Sequence, residues 1–150
     1  MLERAHRRLG AAAVPPRFLV ADVRAVPLPD DCADVVTIGY LLHLLDPARR
    51  APILAEARRL LRPGGRLVVV VHGVPGGRGA GAYRSAWRSL RRIAPRGVLG
   101  HGPMDDAAVP VEAAGFEVTA SRRLRGVYWS QIVAARSAIP GGAGRPAGAA

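Results

Sequence analysis

The sequence of 150 residues predicts an α/β fold of about five strands with helices on both faces of the sheet. The first observation is the run Arg66 to Val71, in which one Leu and four Val follow the arginine without interruption. A strand with no polar alternation has to be covered on both faces, as in sheets flanked by helices. The second is that a helical pattern ends directly before this run, at Arg62-Pro63-Gly64-Gly65. A helix that leads straight into a buried strand is typical of the α/β class.

The first third of the chain predicts one helix and two strands. Met1 to Ala13 has apolar residues at helical spacing, and the prolines after Val14 end that helix. Phe18 to Val23 is a short apolar run, and Asp34 to Leu42 is a second run rich in β-branched residues, so both are predicted to be buried parallel strands. The segment between them, AVPLPDDCA, has the Pro and Asp content of a loop.

The central helix is predicted to begin at Asp46-Pro47, because Asp is a good N-cap and proline suits the first helical position. Downstream, a Gly-rich loop at residues 73–81 precedes a basic amphipathic helix from Tyr83 to Ile93. A further helix, Asp105 to Ala114, is closed by Gly115. Two final strands follow, at Phe116 to Arg123 and Val127 to Ala135.

Composition limits the function classes. The net charge of +11 raises nucleic acid as a partner, because clustered arginines gain affinity by neutralising phosphates. However, all 22 basic residues are Arg, spread through an Ala-, Gly- and Pro-rich chain, which favours an ordinary solvated basic surface. The absence of Lys excludes a P-loop and a pyridoxal Schiff base. No metal site is predicted, and Cys32 stands alone in a polar turn.

Three segments carry a family resemblance: LLRPGGRLVVVV at residues 60–71, AAGFEV at 113–118, and an apolar run that ends in Asp22 before the Pro- and Asp-rich loop at 25–33. On these motifs the chain resembles class I S-adenosylmethionine-dependent methyltransferases of the small-molecule type. The resemblance implies a Rossmann-like sheet of strand order 3-2-1-4-5-7-6 with the last strand antiparallel. It also implies S-adenosyl-L-methionine as cofactor, a small-molecule methyl acceptor and a cytoplasmic enzyme, since no window is long and apolar enough to span a membrane.

Four residues are predicted to bind the cofactor by this resemblance. Asp22 would accept the adenine amino group, and the backbone N–H of Val23 would reach the ring. The alternative is an Asp that only starts a turn. The backbone at Gly39 and Tyr40 would face the methionine part of the cofactor.

His43 is the candidate catalytic residue, because an imidazole has a suitable pKa to deprotonate a methyl acceptor near neutral pH. Family members carry His at this place regardless of the acceptor. A packed or helix-capping histidine is therefore the alternative.

The part of the family pattern that this chain resembles begins only after the second strand of the family's sheet. Residues 1–138 are therefore predicted to be an N-terminally truncated methyltransferase domain. Residues 139–150 are predicted to be a disordered Gly/Pro/Ala tail. A late-assigned start codon, a remnant gene and a rearranged sheet remain open as explanations. In the rearranged sheet, Phe18 to Val23 pairs directly with Asp34 to Leu42, giving the order 3-4-5-7-6. The 150-residue chain would then bind the cofactor weakly or not at all.

Two further motifs have competing interpretations. Gly77 to Gly81 superficially supplies a G-x-G-x-G, but its distance from the preceding strand argues against a phosphate-binding or cofactor-binding turn. Tyr83, Trp87 and the arginines around them suit a nucleic-acid surface, although a packing stripe with Leu90 and Ile93 is the simpler interpretation. The alternative function is therefore a non-catalytic basic module that binds nucleic acid or a partner protein.

Overall fold

The computed structural model describes residues 16–75, 77–93, 102–124 and 129–137. These residues form strands β1 (Ala33–Gly39), β2 (Leu61–His72), β3 (Phe116–Leu124) and β4 (Ser130–Ser137). They also form helices α1 (Pro47–Leu60), α2 (Ala80–Ile93) and α3 (Ala108–Ala113), with short 3-10 helices at Leu42–Leu44 and Gly77–Gly79. The predicted N-terminal helix and the predicted tail lie outside the described residues.

The four strands form one mixed sheet in the order β1-β2-β4-β3. β1 runs parallel to β2, whereas β4 is antiparallel to both of its neighbours. The run Arg66 to Val71 lies within β2 and has a strand on each side, as its uninterrupted apolar sequence predicts. The α/β class and the Rossmann-like 4-5-7-6 part of the predicted order are confirmed.

The prediction of a first strand at Phe18 to Val23 is wrong, which leaves four strands in the described part rather than about five. Residues 16–22 have no strand conformation, and Val20 is 83% exposed. A turn follows, in which the Ala25 N–H donates to the Asp22 carbonyl at 3.0 Å. This turn directs the chain toward α1 instead of along β1, so the predicted pairing with Asp34 to Leu42 does not form.

One face of the sheet holds the core. Leu67, Val69 and Val71 of β2 are fully buried there, and α1 and α3 pack together on this side of the sheet. On the opposite face, Val35 is 44% exposed and Val70 is only partly buried.

The sequence signals at the ends of α1 act as predicted. The Asp46 carboxylate accepts from the Arg49 N–H at 3.0 Å, with proline at the first helical position. At the other end only Gly64 has a positive φ, 75°. Gly65 is needed for a different reason, because a Cβ there would lie 2.8 Å from the Arg62 carbonyl oxygen. The paired glycines therefore supply one left-handed residue and one close backbone approach.

The segment that replaces the missing strand is fastened to α1 by a buried carboxylate. Glu56 accepts from the Val26 N–H at 2.7 Å and from the Arg59 guanidinium at 2.8 and 2.9 Å. Arg59 in turn donates to the carbonyls of Val26 and Leu28 and pairs with Asp30. These contacts hold residues 22–31 against the helix in the absence of a sheet partner.

Helix α2 differs from its prediction in length and in packing. It begins at Ala80 because the 3-10 turn Gly77–Gly79 leads directly into it. None of its residues is buried: Leu90 is 43% exposed and Ile93 81% exposed. The predicted packing stripe is therefore wrong at Leu90 and Ile93, and the partly buried residues of this helix are Ala80, Tyr83 and Trp87.

Candidate functional site

The candidate site lies at the edge of the sheet where the parallel strands β1 and β2 both end. β1 ends at Gly39 and β2 at His72, and their parallel register brings these ends to the same edge. Open α/β sheets bind ligands in the crevice outside the carboxyl ends of their parallel strands. Of the predicted site residues, Gly39, Tyr40 and His43 are brought together here.

Gly39 and Tyr40 have the backbone features of a ligand-contacting turn. A Cβ built at Gly39 would meet no atom within 4 Å, so the backbone at the strand end faces open space. Tyr40 has a φ of 53°, which is uncommon for a side chain other than Gly or Asn. Its N–H donates to the Val70 carbonyl at 2.7 Å, and its hydroxyl shares a 2.9 Å hydrogen bond with Ser130. Such held, unfavourable backbone conformations concentrate at functional sites.

His43 lies in the 3-10 helix Leu42–Leu44 and is only 8% exposed. Burial lowers the pKa of His43 below its ordinary 6.5, and the charges of His72 and Arg50 lower it further. Its Nδ1 accepts from the backbone N–H of His72 at 3.4 Å, so the neutral ring carries its proton on Nε2. This arrangement fits a packed histidine more directly than a free general base.

The 3-10 helix that carries His43 is held in place from α1. The Nε of Arg50 donates to the carbonyls of Leu42 and Leu45 at 2.9 and 3.0 Å, and its Nη2 donates to Leu45 at 2.7 Å. The Leu42 carbonyl also accepts from the Leu45 N–H at 3.3 Å, so Arg50 adds a second donor there and a donor for the Leu45 carbonyl at the end of the turn. The position of His43 is therefore fixed by the element that follows it in the chain.

Sequence reasoning missed His72 and considered Tyr83 only as part of a nucleic-acid surface. The Tyr83 hydroxyl and His72 Nε2 are 2.9 Å apart, which joins the end of β2 to α2. Burial lowers the pKa of the His72 imidazole and raises that of the Tyr83 phenol, so both groups are neutral at pH 7. The His72 ring also makes edge contacts with the rings of His43 and Trp87, at centroid distances of 5.8 and 5.6 Å. The available signal was a histidine directly after an apolar strand, at the edge where ligands bind.

Asp22 and Val23 lie across a cleft from this edge. Val23 lines a cavity of about 430 Å³ whose other walls are Arg24, Leu41, Leu45, Arg49 and Ile53. The Asp22 carboxylate is engaged by Arg24, through its backbone N–H at 2.9 Å and its guanidinium at 2.6 to 3.2 Å. That pairing lowers the pKa of Asp22 to about 2. Of the four predicted cofactor-binding residues, Val23 lines this cavity, and Tyr40 directly precedes its wall residue Leu41 in the chain.

A second cavity, of about 450 Å³, opens beside α2. Its walls are Arg84, Trp87, Arg88, Arg91, Arg92, Pro103 and Asp105. Backbone hydrogen bonds tie the far wall to the site, since the Met104 N–H donates to the His72 carbonyl at 2.8 Å. The two cavities therefore lie on either side of the carboxyl ends of β1 and β2.

Comparison with known proteins agrees with this geometry. Residues 1–69 match the family model described as a methyltransferase domain. Over 70 residues the chain is 43% identical to the demethylmenaquinone methyltransferase of Thermus thermophilus, a match that covers 47% of this chain and 31% of that protein. Over this part of its length the chain is similar to methyltransferases.

Solved structures of methyltransferases share the fold. An S-adenosylmethionine-dependent methyltransferase of Methanosarcina mazei superimposes with a TM-score of 0.68 at 18% identity, covering 91% of this chain and 76% of that one. The 1,6-didemethyltoxoflavin-N1-methyltransferase of Burkholderia thailandensis gives a TM-score of 0.61 at 19% identity, with 81% and 51% covered. That protein was solved with S-adenosylhomocysteine and 1,6-didemethyltoxoflavin bound. At these identities the likeness shows the fold alone.

The chain spans less than a third of the length of the Thermus thermophilus relative. The match to the family model ends at residue 69, within β2. Helix α2 and the cavity beside it therefore lie outside the matched segment. In the described part of the chain, no helix is long and apolar enough to cross a membrane.

Proposed function

We propose that this protein transfers a methyl group from S-adenosylmethionine to a small-molecule acceptor. The observation that carries the proposal is the open backbone at Gly39 and the left-handed Tyr40, at the strand edge where this fold binds ligands. The bound cofactor supplies an activated methyl group on a sulfonium. The protein then has mainly to orient the two reactants and exclude water.

The residues present fit the cofactor. The cleft beside Val23 is apolar on Leu41, Leu45 and Ile53 and has room for a purine-sized ring. The Asp22 carboxylate lies next to it and would accept from the adenine amino group. Its present partner Arg24 is 63% exposed, and exposed ion pairs are weak, so the exchange of partners costs little. Gly39 and Tyr40 would hold the methionine part through their backbone.

His43 stays the proposed base for acceptors that need to lose a proton. Its lowered pKa keeps the ring neutral at pH 7, which is the state a base requires. To act as a base through Nδ1, His43 has to lose the hydrogen bond that Nδ1 accepts from the His72 N–H. At 3.4 Å this bond is long, so the loss is small.

We further propose that residues 16–137 are part of a larger cytoplasmic methyltransferase domain. The exposed Val35 on β1 and the short coverage of the Thermus thermophilus relative support this proposal. The chain alone is then expected to bind the cofactor weakly, because Asp22 and Val23 contact only its adenine end. Nothing among the comparisons favours the alternative of a non-catalytic basic module.

The test is a titration of the ¹⁵N-labelled chain with S-adenosylhomocysteine, followed by NMR, which detects binding in the millimolar range. We expect shifts confined to Val23, Gly39, Tyr40 and their neighbours. The decisive variant is Gly39→Val. A Cβ at this position meets no protein atom within 4 Å and valine suits a strand, yet its side chain would fill the space that the cofactor needs, so the shifts should disappear.

Thr37→Val is the matched control, because it places the same side chain on the same exposed face of β1, two residues earlier. It should leave the shifts unchanged. Equal binding by wild type and Gly39→Val would reject the proposed cofactor site. Salt-sensitive binding of arbitrary duplex DNA, without any shift from S-adenosylhomocysteine, would favour the basic module instead.

A further inference from the structure

The cavity beside α2 is lined by side chains that the helical repeat brings to one face. Arg84, Arg88, Arg91 and Arg92 are spaced at i, i+4, i+7 and i+8, with Trp87 among them. Residues at this spacing share one side of a helix. The arginines of α2 therefore converge on one cavity of about 450 Å³ and do not surround the helix evenly.

The charge of this cavity is strongly positive. Asp105 is the one carboxylate in its lining, and it pairs with Arg84 at 2.7 Å. Within the described residues, no carboxylate is paired with Arg88 or Arg92. Guanidinium groups recognise carboxylates and phosphates through paired N–H donors. The lining is thus suited to an anion.

Trp87 gives the cavity a flat wall. Its indole stacks on the Tyr83 ring, at an interplanar angle of 23°. Gly102, at φ 100°, leaves room for the indole, since a Cβ there would lie within bonding distance of Nε1. The Nε1–H is buried and has no hydrogen-bond partner in the described part of the chain. A flat aromatic wall beside guanidinium groups suits a planar ligand with an acidic group.

The cavity adjoins the proposed methyl-transfer edge. The Trp87 ring contacts the ring of His72, which ends β2. The opposite wall at Pro103 is joined to β2 through the bonds between Met104 and the residues His72 and Val74, at 2.8 and 3.2 Å. A ligand in the cavity would thus lie next to the carboxyl ends of the parallel strands.

We propose that this cavity binds the methyl acceptor, and that the acceptor is a small planar molecule with a carboxylate or phosphate group. The identification of the ligand as the methyl acceptor rests on the proposed function. The inference that the cavity binds an anion rests on the cavity alone. A small molecule is favoured over nucleic acid because the arginines surround a concave space of small-molecule size. A duplex would require basic groups spread along an extended surface.

The experiment follows the indole N–H signals of Trp87 and Trp129 by NMR while benzoate or phenyl phosphate is added. Trp87→Phe assigns the two signals. We expect the Trp87 signal to shift saturably. Tighter binding of benzoate would indicate a carboxylate acceptor, and tighter binding of phenyl phosphate a phosphorylated one.

The variant Arg88→Gln/Arg92→Gln should weaken binding by at least about tenfold, since it removes charge-assisted contacts. The control Arg122→Gln/Arg136→Gln lowers the net charge equally on β3 and β4 and should bind as wild type does. Absence of saturable shifts, or equal loss in both double variants, would overturn the anion site. Duplex DNA that shifts Trp87 while benzoate does not would replace it with a nucleic-acid surface.

The same samples separate this inference from the proposed function. If benzoate shifts Trp87 but S-adenosylhomocysteine leaves Gly39 unshifted, the anion site stands and its role in methyl transfer is rejected. If S-adenosylhomocysteine binds and neither anion does, the methyltransferase function stands and the acceptor class is rejected.

Discussion

His43 and His72 contact each other at the carboxyl ends of β1 and β2, and burial keeps both of them neutral at pH 7. Their roles were not equally visible in the sequence. His43 stands in a pattern shared with the family, whereas the contact between His72 and Tyr83 depends on how α2 returns to the sheet. The sequence pattern identified His43, whereas only the three-dimensional structure identified the contact between His72 and Tyr83.

The lowered pKa values predict a loss of stability in mild acid. A histidine with a folded pKa below 6.5 binds protons more readily in the unfolded chain, so its contribution is present above pH 6.5 and is lost as the pH falls. We expect the NMR signals of both rings to titrate below pH 6.5. The urea midpoint should fall between about pH 7 and pH 5.

The double variant His43→Gln/His72→Gln should have a smaller change of urea midpoint over this range than wild type. It retains the histidines at positions 6 and 101, and thus controls for their titration. A His43 signal that titrates above pH 6.5 would contradict the assigned burial.

At the scale of elements, the best-predicted feature is the unit from Asp46 to Val71. Its N-cap, its proline at the first helical position and its Pro-Gly-Gly turn are local signals that require no distant partner. The prediction of a strand at Phe18 to Val23 was wrong for the opposite reason, because a strand requires a distant partner. An apolar run becomes a strand only if a neighbour pairs with it, and sequence alone does not report that, among the residues the structure describes, β1 pairs only with β2.

The contacts that hold residues 22–31 on α1 lead to a prediction about acid. Hydrogen bonds from Arg59 and the Val26 N–H lower the pKa of Glu56 to about 2, from an ordinary 4.5. Its ionised form therefore stabilises the fold above pH 4.5, and this contribution is lost as the pH falls from 4.5 towards 2. Glu56→Gln should lower the melting temperature at neutral pH and flatten its dependence on pH in that acid range.

Glu112→Gln is the matched control, because it makes the same change at an exposed position of α3. Thermal melts at a series of pH values would compare the three proteins. The prediction fails if Glu56→Gln and wild type lose melting temperature in parallel between pH 4.5 and pH 2.

For the whole molecule, the two faces of the sheet differ in how deeply their side chains are buried. Truncating one side chain on each face tests this difference. Leu67 is fully buried against the helices, whereas Val35 on the other face is 44% exposed. Leu67→Ala should cost about 2–5 kcal/mol in the free energy of unfolding, because it leaves a cavity. Val35→Ala should cost less than about 1 kcal/mol. Urea denaturation measures both, and similar losses would contradict the one-sided core.

The sequence predicted the whole molecule unevenly. The periodicity and turns of 33–72 and 116–137 predicted the class and the central strand, and the family resemblance implied the antiparallel final strand. The cavity beside α2 could not be predicted from the sequence, because it forms only where α2 and the segment around Pro103 meet at the end of β2. The arginines were visible as a charged helix face, but the concave wall opposite them was not.

The register of the sheet also fixes the order in which it can assemble during synthesis. β1, α1 and β2 are contiguous in the chain, so their parallel pair can form as soon as His72 has left the ribosome. The other edge of β2 pairs with β4, where Leu67 is opposite Ala135. Until that late segment emerges, the most apolar strand of the protein has an open edge, which is the state most prone to join a strand of another chain. The interval between the synthesis of His72 and Ser130 is thus the period in which the nascent protein depends most on protection by chaperones.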